Sequence, residues 1–265
     1  MIVHNFDPVF VDLGIFQIRW YSLAYITGIA LGWLYAIKII EKLSLKKNYF
    51  SVKREQFDEL ITYLVIGIVL GGRLGYVIFY NFKYYSENIV EVFKLWQGGM
   101  SFHGGLIGLI IAVYIYSKNS KTDFFKFTDI ISCVAPIGIF LGRIANFING
   151  ELYGKVSTLP WAIIFPYTDN VARHPSQIYE AILEGFILFI LLNYFAFKKK
   201  LIIKSGYISG LFLIFYSILR IIAEKFREPD VHIGYLFNYI SMGTLLSLII
   251  FFAGFVIILL IKKNE

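Results

Sequence analysis

Residues 59–80 read ELITYLVIGIVLGGRLGYVIFY, a run in which Glu59 and Arg73 are the only charges. As a helix rising 1.5 Å per residue it is about 33 Å long, enough to cross the roughly 30 Å hydrocarbon core of a bilayer. Gly67, Gly71 and Gly75 recur every fourth residue and line one face, the spacing that lets helices approach closely in lipid. Working outward, six more stretches have the same character: 19–40, 99–117, 129–148, 176–197, 207–225 and 239–261. Similar small-residue spacings recur at Gly104 and Gly108 and at Gly138 and Gly142. The spacing predicts an all-α integral membrane protein of seven transmembrane helices, with 1–265 as a single domain.

The whole chain agrees with that reading. Apolar residues make up 58% and charged residues 16%, where a soluble domain carries about a quarter charged. The formal charge is +7, and the basic residues gather in short loops. Lys42, Lys46, Lys47, Lys53, Arg54, Lys118, Lys121, Lys126, Lys198, Lys199, Lys200, Lys204, Lys262 and Lys263 fall on one side. Arg19, Lys83, Lys94, Lys155, Arg173 and Arg227 fall on the other. The bias puts the N-terminus outside and the C-terminus in the cytoplasm. Basic loops between apolar spans are accounted for by the membrane, so no nucleic-acid partner is expected. The first twenty residues carry His4, Asp7 and Asp12 without a basic start, which does not read as a signal peptide. Segment 149–175 is expected to form a small extracytoplasmic cap. Segment 81–98, rich in Tyr and Phe with Trp96, is expected to be an interfacial arm.

A single cysteine, Cys133, sits in an apolar run and reads as a core residue. It forms no internal disulfide and builds no metal cluster, so a reacting thiol would come from the substrate.

Ionisable groups inside spans are costly and usually face a cavity or a partner. Tyr216, Arg220 and Glu224 share one face of the sixth span at spacing four, and a purely structural Arg–Glu pair is the plain alternative. Arg143 and Asn146 share a face near the outer end of the fourth span, where Arg143 has the alternative of snorkelling to the headgroups. His103 opens the third span, and Gly104 and Gly105 after it are expected to leave space for a ligand beside the imidazole. Arg73, Tyr21 and Tyr25 add polar groups in the second and first spans, and Glu151 follows the fourth. Two arginines at one depth suit an anion at headgroup level, because the guanidinium fork binds phosphate bidentately. The residues by themselves reach a membrane enzyme or transporter handling a phospholipid or another anion.

Six strings carry a resemblance. They are Arg19-Trp20-Tyr21, Gly72-Arg73-Leu74-Gly75-Tyr76, and Gly98-Gly99-Met100-Ser101-Phe102-His103-Gly104-Gly105. Next comes Gly142-Arg143-Ile144-Ala145-Asn146-Phe147-Ile148-Asn149-Gly150-Glu151 with Gly154. Last are His174-Pro175-Ser176-Gln177-Ile178-Tyr179-Glu180 and the stretch from Arg220 through Arg227-Glu228-Pro229-Asp230. In this order the chain resembles the prolipoprotein diacylglyceryl transferase family over nearly its whole length. The resemblance implies a multi-pass enzyme of the bacterial cytoplasmic (inner) membrane, working toward the extracytoplasmic side. Its implied partners are phosphatidylglycerol, prolipoprotein signal peptides ending in a lipobox cysteine, and membrane lipid. Its implied products are a thioether-linked diacylglyceryl protein and glycerol phosphate, with no cofactor and no metal. It makes His103, Arg143, Arg220 and Tyr21 the candidate catalytic residues. The candidate phosphatidylglycerol-binding residues are Arg143, Arg220, Asn146, Glu151, Gly154, Tyr216 and Glu224.

In the chemistry this implies, a thiol displaces a phosphate ester from carbon. A free cysteine is mostly protonated at neutral pH, so a base is needed, and imidazole as a residue type suits that task. His103 is the candidate base, with a hydrogen bond to the headgroup as its alternative role. Arg143 and Arg220 would stabilise the departing phosphate, with Asn146 and Tyr216 as added donors. Glu224 would orient Arg220, and Glu151 would orient Arg143 or a residue of the cap. Two other classes compete. An intramembrane serine protease would use Ser101 and His103, but residues two apart on one helix point in different directions. A transporter or flippase for an anionic solute often shows two related halves, and no internal repeat is evident.

Overall fold

The structure, a computed structural model, describes residues 2–14, 17–45, 52–229, 234–236 and 239–263. Lys46, Lys47 and Asp230, which entered the reading above, lie outside the described residues. The chain is mainly helical: α1 (Trp20–Ser44), α2 (Arg54–Phe79), α3 (Phe82–Glu87), α4 (Phe102–Asn119), α5 (Phe124–Ile148), α6 (Ser176–Lys198), α7 (Tyr207–Glu224) and α8 (Met242–Lys263). Six of these, α1, α2, α5, α6, α7 and α8, are long and apolar enough to cross a membrane. The seventh expected span, 99–117, is observed as the helix α4. That helix has 18 residues, which include His103 near its start and Lys118 and Asn119 at its end, and those polar ends dilute its apolar character.

Short strands absent from the sequence expectation occur between the helices. They are β1 (Ile2–Val3), β2 (Val9–Asp12), β3 (Gln17–Arg19), β4 (Ile163–Ile164), β5 (Ala172–Arg173), β6 (Tyr235–Leu236) and β7 (Ile240–Ser241). β1 runs parallel to β4, which pairs antiparallel with β5; β2–β3 and β6–β7 are separate antiparallel pairs. Backbone outside a helix still has to pair its N–H and C=O groups, and two-residue ladders are the least structure that does so.

The chain divides into two compact units, residues 37–128 and residues 1–36 with 129–265. In the first, α2 packs against α4 through glycine. A Cβ on Gly71 would fall 2.4 Å from the Gly104 carbonyl oxygen, and one on Gly67 would fall 2.5 Å from that of Gly108. Backbone touches backbone here, as small-residue spacing in lipid predicts. This corrects one expectation. Gly104 and Gly105 do not themselves open the space beside His103; the α-hydrogens of Gly104 face Gly71 and Gly75, and Gly105 lies against Ile68. The turn leading into α4 is fixed by Arg73, which is 3% exposed. Its guanidinium donates to the carbonyls of Glu91 (2.6 Å), Val92 (2.8 Å), Lys94 (3.2 Å), Gly98 (2.5 Å) and Gly99 (3.2 Å), and lies over the Tyr85 ring. Ser101 then caps α4 by accepting from the Gly104 N–H.

In the second unit α7 and α8 meet at Gly210 and Gly254, where a Cβ on Gly254 would sit 2.7 Å from the Gly210 oxygen. Gly185 of α6 faces Phe140 of α5 equally closely. Gly138 and Gly142, read as a packing pair, differ in part: a Cβ on either meets nothing within 4 Å, but one on Gly28 of α1 would fall 3.2 Å from Gly138 Cα. Asp129, fully buried, caps α7 by accepting from the Gly206 and Ser209 N–H groups, both at 2.7 Å, and from the Ser209 hydroxyl. Cys133 is buried as expected, though Asp129 lies one turn before it. Large apolar side chains along α2, α4 and α8, among them Ile66, Leu70, Ile107, Phe252 and Leu260, point outward. In an integral membrane protein lipid covers such a surface; water would not.

Candidate active site

The site is assembled in the second unit from the end of α5, the start of α6 and the end of α7. Arg143 and Asn146 lie in the last turns of α5, Asn149 follows it, and Gly150 at φ +68° turns the chain back. Only a residue at ease in left-handed backbone makes that turn cheaply, and glycine does. The reversal brings Glu151 against the helix it has just left. Its N–H donates to the Asn146 carbonyl (3.1 Å), and its carboxylate accepts from Asn146 Nδ2 (2.7 Å). Asn146 Nδ2 also donates to the Tyr21 hydroxyl (3.0 Å), which places Tyr21, Asn146 and Glu151 together. Gln177, fully buried in the first turn of α6, donates to the Glu151 carbonyl at 2.6 Å. Sequence reading gave Glu151 the task of orienting Arg143 or a residue of the cap; its carboxylate orients Asn146.

The arginines converge as expected, but around carboxylates. Glu180 and Glu184, one turn apart on α6, are both fully buried. Glu180 meets Arg143 Nη1 (2.8 Å), Arg220 Nη1 (2.7 Å) and Arg227 Nη1 (3.1 Å). Glu184 bridges Arg143 Nη2 (2.9 Å) and Arg220 Nη1 (3.1 Å). Glu224 forms an ion pair with Arg220 Nη2 (2.8 Å), the partner that sequence reading expected for it. Glu224 is itself held by the Ser241 hydroxyl at 2.9 Å, and Gly243 crowds it so closely that a Cβ there would lie 2.5 Å from its Oε1. Tyr216, one turn before Arg220, is within electrostatic reach of both arginines and of both α6 glutamates. Arg143 therefore does not snorkel; it is fixed by ion pairs from another helix. A buried charge needs such pairing, because leaving one uncompensated costs several kcal/mol, about 3–5.

Each guanidinium has five N–H donors. The contacts above engage the Nη groups of Arg143 and Arg220, and among the described residues the Nε–H of each has no partner. Guanidinium forks fixed by carboxylates and still carrying an N–H have the chemistry that suits a tetrahedral anion.

Gly154 lies where three backbone segments cross. Its N–H donates to the His174 carbonyl (3.0 Å), its own carbonyl accepts from Arg173 (3.0 Å), and a Cβ would fall 2.5 Å from the oxygens of His174 and Phe226. Beside it, Asp169 is held well below the ordinary carboxylate range by its hydrogen bond to Arg173. The His174 imidazole is pushed below its ordinary range by burial and then by Lys155.

The profile of the family described as prolipoprotein diacylglyceryl transferase matches residues 8–260. The chain belongs to this family. Similar relatives carry the name phosphatidylglycerol–prolipoprotein diacylglyceryl transferase. One from Rickettsia bellii (strain OSU 85-389) is 51% identical, the match covering 100% of this chain and 98% of the relative. One from Rickettsia typhi (strain ATCC VR-144 / Wilmington) is 50% identical over 93% of each chain, and one from Rickettsia canadensis (strain McKiel) is 50% identical over 94% of each.

For a member of the prolipoprotein diacylglyceryl transferase family, the geometry sorts the expected site residues. It brings Arg143, Arg220, Tyr216 and Glu224 into one ion-pair network, and Tyr21, Asn146 and Glu151 into one hydrogen-bonded group. Gly154 contributes a close approach of backbones. His103 belongs to the other unit, where it is exposed in the first turn of α4 with its ring edge on Phe102. The expected site residues omit Glu180 and Glu184. Their signal was present as two carboxylates four apart inside an apolar span, the same kind of signal that singled out Arg220 and Glu224.

Proposed function

We propose that this chain transfers the diacylglyceryl group of phosphatidylglycerol to the thiol of the lipobox cysteine of a prolipoprotein. A C–S thioether bond forms and the C–O bond to phosphate breaks; glycerol phosphate leaves with the electron pair, and the thiol proton goes to a base. The observation that carries this reading is the pair Arg143 and Arg220, fixed by Glu180, Glu184 and Glu224, with donors to spare. In our reading the pair holds the lipid phosphate and stabilises the charge that grows on it as the bond breaks. Asn146, with Tyr21 and Glu151 fixing its amide, and Tyr216 add polar contacts to the headgroup, and Gly154 keeps the surrounding segments in register. His103 takes the thiol proton. No cofactor and no metal enter the scheme. The names and identities of the relatives support the substrate pair.

The protein works as one seven-span domain of the bacterial cytoplasmic membrane, with α4 as the third span. The basic loops set the N-terminus outside and the C-terminus in the cytoplasm. In this orientation the ends of α5 and α7 put the arginine network toward the extracytoplasmic side, 149–175 forms the cap, and 81–98 is the interfacial arm. The test uses purified protein in detergent with phosphatidylglycerol and a lipobox peptide. Mass spectrometry should find peptide plus diacylglyceryl together with glycerol phosphate, and neither when the peptide cysteine is replaced by serine. Folded protein that yields neither product from the cysteine peptide would sink the reading.

A further inference from the structure

Glu184 stands out among the three carboxylates of the network. Glu180 also holds Arg227, and Glu224 is also held by Ser241, whereas the ion pairs of Glu184 are to Arg143 and Arg220 alone among the described residues. It sits fully buried in the widened, π-helical part of α6, Ala181–Ile187. Such widened turns concentrate at functional sites. The charged and titratable groups that face it are Arg143 from α5, Glu180 from its own helix, and Tyr216, Arg220 and Glu224 from α7, with Arg227 reached through Glu180. In these ion pairs among the described residues, Arg143, Arg220 and Arg227 oppose Glu180, Glu184 and Glu224, so their formal charges balance. Glu151, joined to Asn146 beside it, adds a further negative group.

A site that binds phosphate through arginines would be expected to be positive. This one is neutralised in advance, and the two charge states of its ligand explain why that matters. A phosphodiester lipid headgroup carries one negative charge. The released glycerol phosphate is a phosphomonoester and carries close to two at pH 7, since its second ionisation lies near pH 6. A strongly positive pocket would hold the dianion more tightly than the lipid and stall on its own product.

We propose that Glu184 sets the charge of the phosphate site, so that the singly charged donor phosphate is accepted and the doubly charged product is released. This rests on the reading that Arg143 and Arg220 hold the phosphate. Arg143 and Arg220 supply the contacts; Glu184 determines which charge state they retain.

The experiment measures binding of glycerol phosphate to the purified full-length protein in detergent by calorimetry, comparing wild type, Glu184→Gln and Glu184→Asp. Gln keeps the shape and the acceptor oxygen but removes the charge, so it should bind glycerol phosphate about 10-fold more tightly or better, one ion-pair increment in a partly buried site. Asp keeps the charge and should stay within about threefold of wild type, below the one-charge increment. A residue that merely supports the fold would weaken binding on removal. Equal or weaker binding by folded Glu184→Gln therefore overturns the proposal. Wild type gives an arm that needs no variant: glycerophosphoglycerol, a singly charged diester, should bind at least as tightly as glycerol phosphate, and a clear preference for the monoester overturns the proposal. The transfer assay separates the two readings. Transfer by wild type without the gain in Glu184→Gln removes the charge role alone. The gain without transfer removes the reaction and leaves an anion site whose charge Glu184 sets.

Discussion

Arg73 on α2 and the pair Arg143 and Arg220 on α5 and α7 all interrupt apolar helices, and the two settings resolve the same residue type in opposite ways. Arg73 is 3% exposed, and its guanidinium meets five backbone carbonyls of residues 91–99 and the face of Tyr85. Carbonyls saturate its fork, so it is a structural staple. Arg143 and Arg220 meet carboxylates from another helix and keep donors to spare. The lesson is that charge inside a span marks a site only when its partners fix it without consuming it. Five neutral acceptors in one loop make a brace. Two shared carboxylates fix a fork and leave an N–H on it.

The largest effect that would sharpen this contrast is Arg220→Lys. Lysine keeps the charge beside Glu180, Glu184 and Glu224 but loses the fork, so transfer should fall about 10²–10³-fold, the cost of losing one stabilising donor in a catalytic site. The melting temperature in detergent should change little. Arg220→Ala is a poorer probe, since it leaves two fully buried glutamates short of a partner. Near-normal transfer by Arg220→Lys would break the receptor side of the comparison.

Arg73→Met should do the opposite. The carbonyls of residues 91–99 lose their common donor, at roughly 1–3 kcal/mol for each buried group left unpaired. A marked drop in melting temperature is expected, with transfer per folded molecule retained. Loss of turnover at unchanged stability would put Arg73 among the functional groups and erase the distinction.

A smaller effect divides the glycines in the same way. Gly71→Ala puts a methyl group 2.4 Å from the Gly104 oxygen and should destabilise by about 1–3 kcal/mol, as overpacking does. Gly142→Ala meets nothing within 4 Å and should be neutral or slightly stabilising, since alanine is favoured over glycine in a helix by roughly 0.5–1 kcal/mol. Equal melting temperatures for the two variants would contradict the backbone contact between α2 and α4.

The smallest expected effect concerns pH. Burial and Lys155 lower the pKa of His174, so the unfolded chain takes up a proton first as pH falls. The stabilisation is present above the unfolded value, about 6.5, and is lost as pH drops below it. His174→Gln should flatten that part of the curve when melting temperatures at pH 5 and pH 7.5 are compared. An unchanged slope would show that other groups set it.

Much of this was legible in advance because it is local. The expected span 129–148 is observed as Phe124–Ile148, and 207–225 as Tyr207–Glu224, since bilayer thickness fixes the length and apolar runs fix the place. Arg220 and Glu224 were readable as neighbours, because four residues along a helix put them on one face. Glu184 was not readable as the partner of Arg143. The two are 41 residues apart, and nothing local to either says which faces of α5 and α6 meet. The glycines teach the same point: Gly104 with Gly108 and Gly138 with Gly142 look alike in sequence, yet a Cβ on either of the first pair would strike the α2 backbone, while one on Gly138 or Gly142 meets nothing within 4 Å, although Gly138 itself lies under Gly28 of α1.

By itself the sequence determined that the chain lives in lipid, which stretches form its long helices, and through its motifs the family it belongs to. Those follow from short-range chemistry: hydropathy over about 20 residues, the helical repeat, and strings of adjacent side chains. Only the tertiary structure decided which charges neutralise one another, which glycines are contacts, and that Arg73 is held by carbonyls while Arg143 and Arg220 are held by carboxylates. Partnership of that kind depends on how helices distant in sequence pack, and each buried charge must find its counterion wherever that packing brings one.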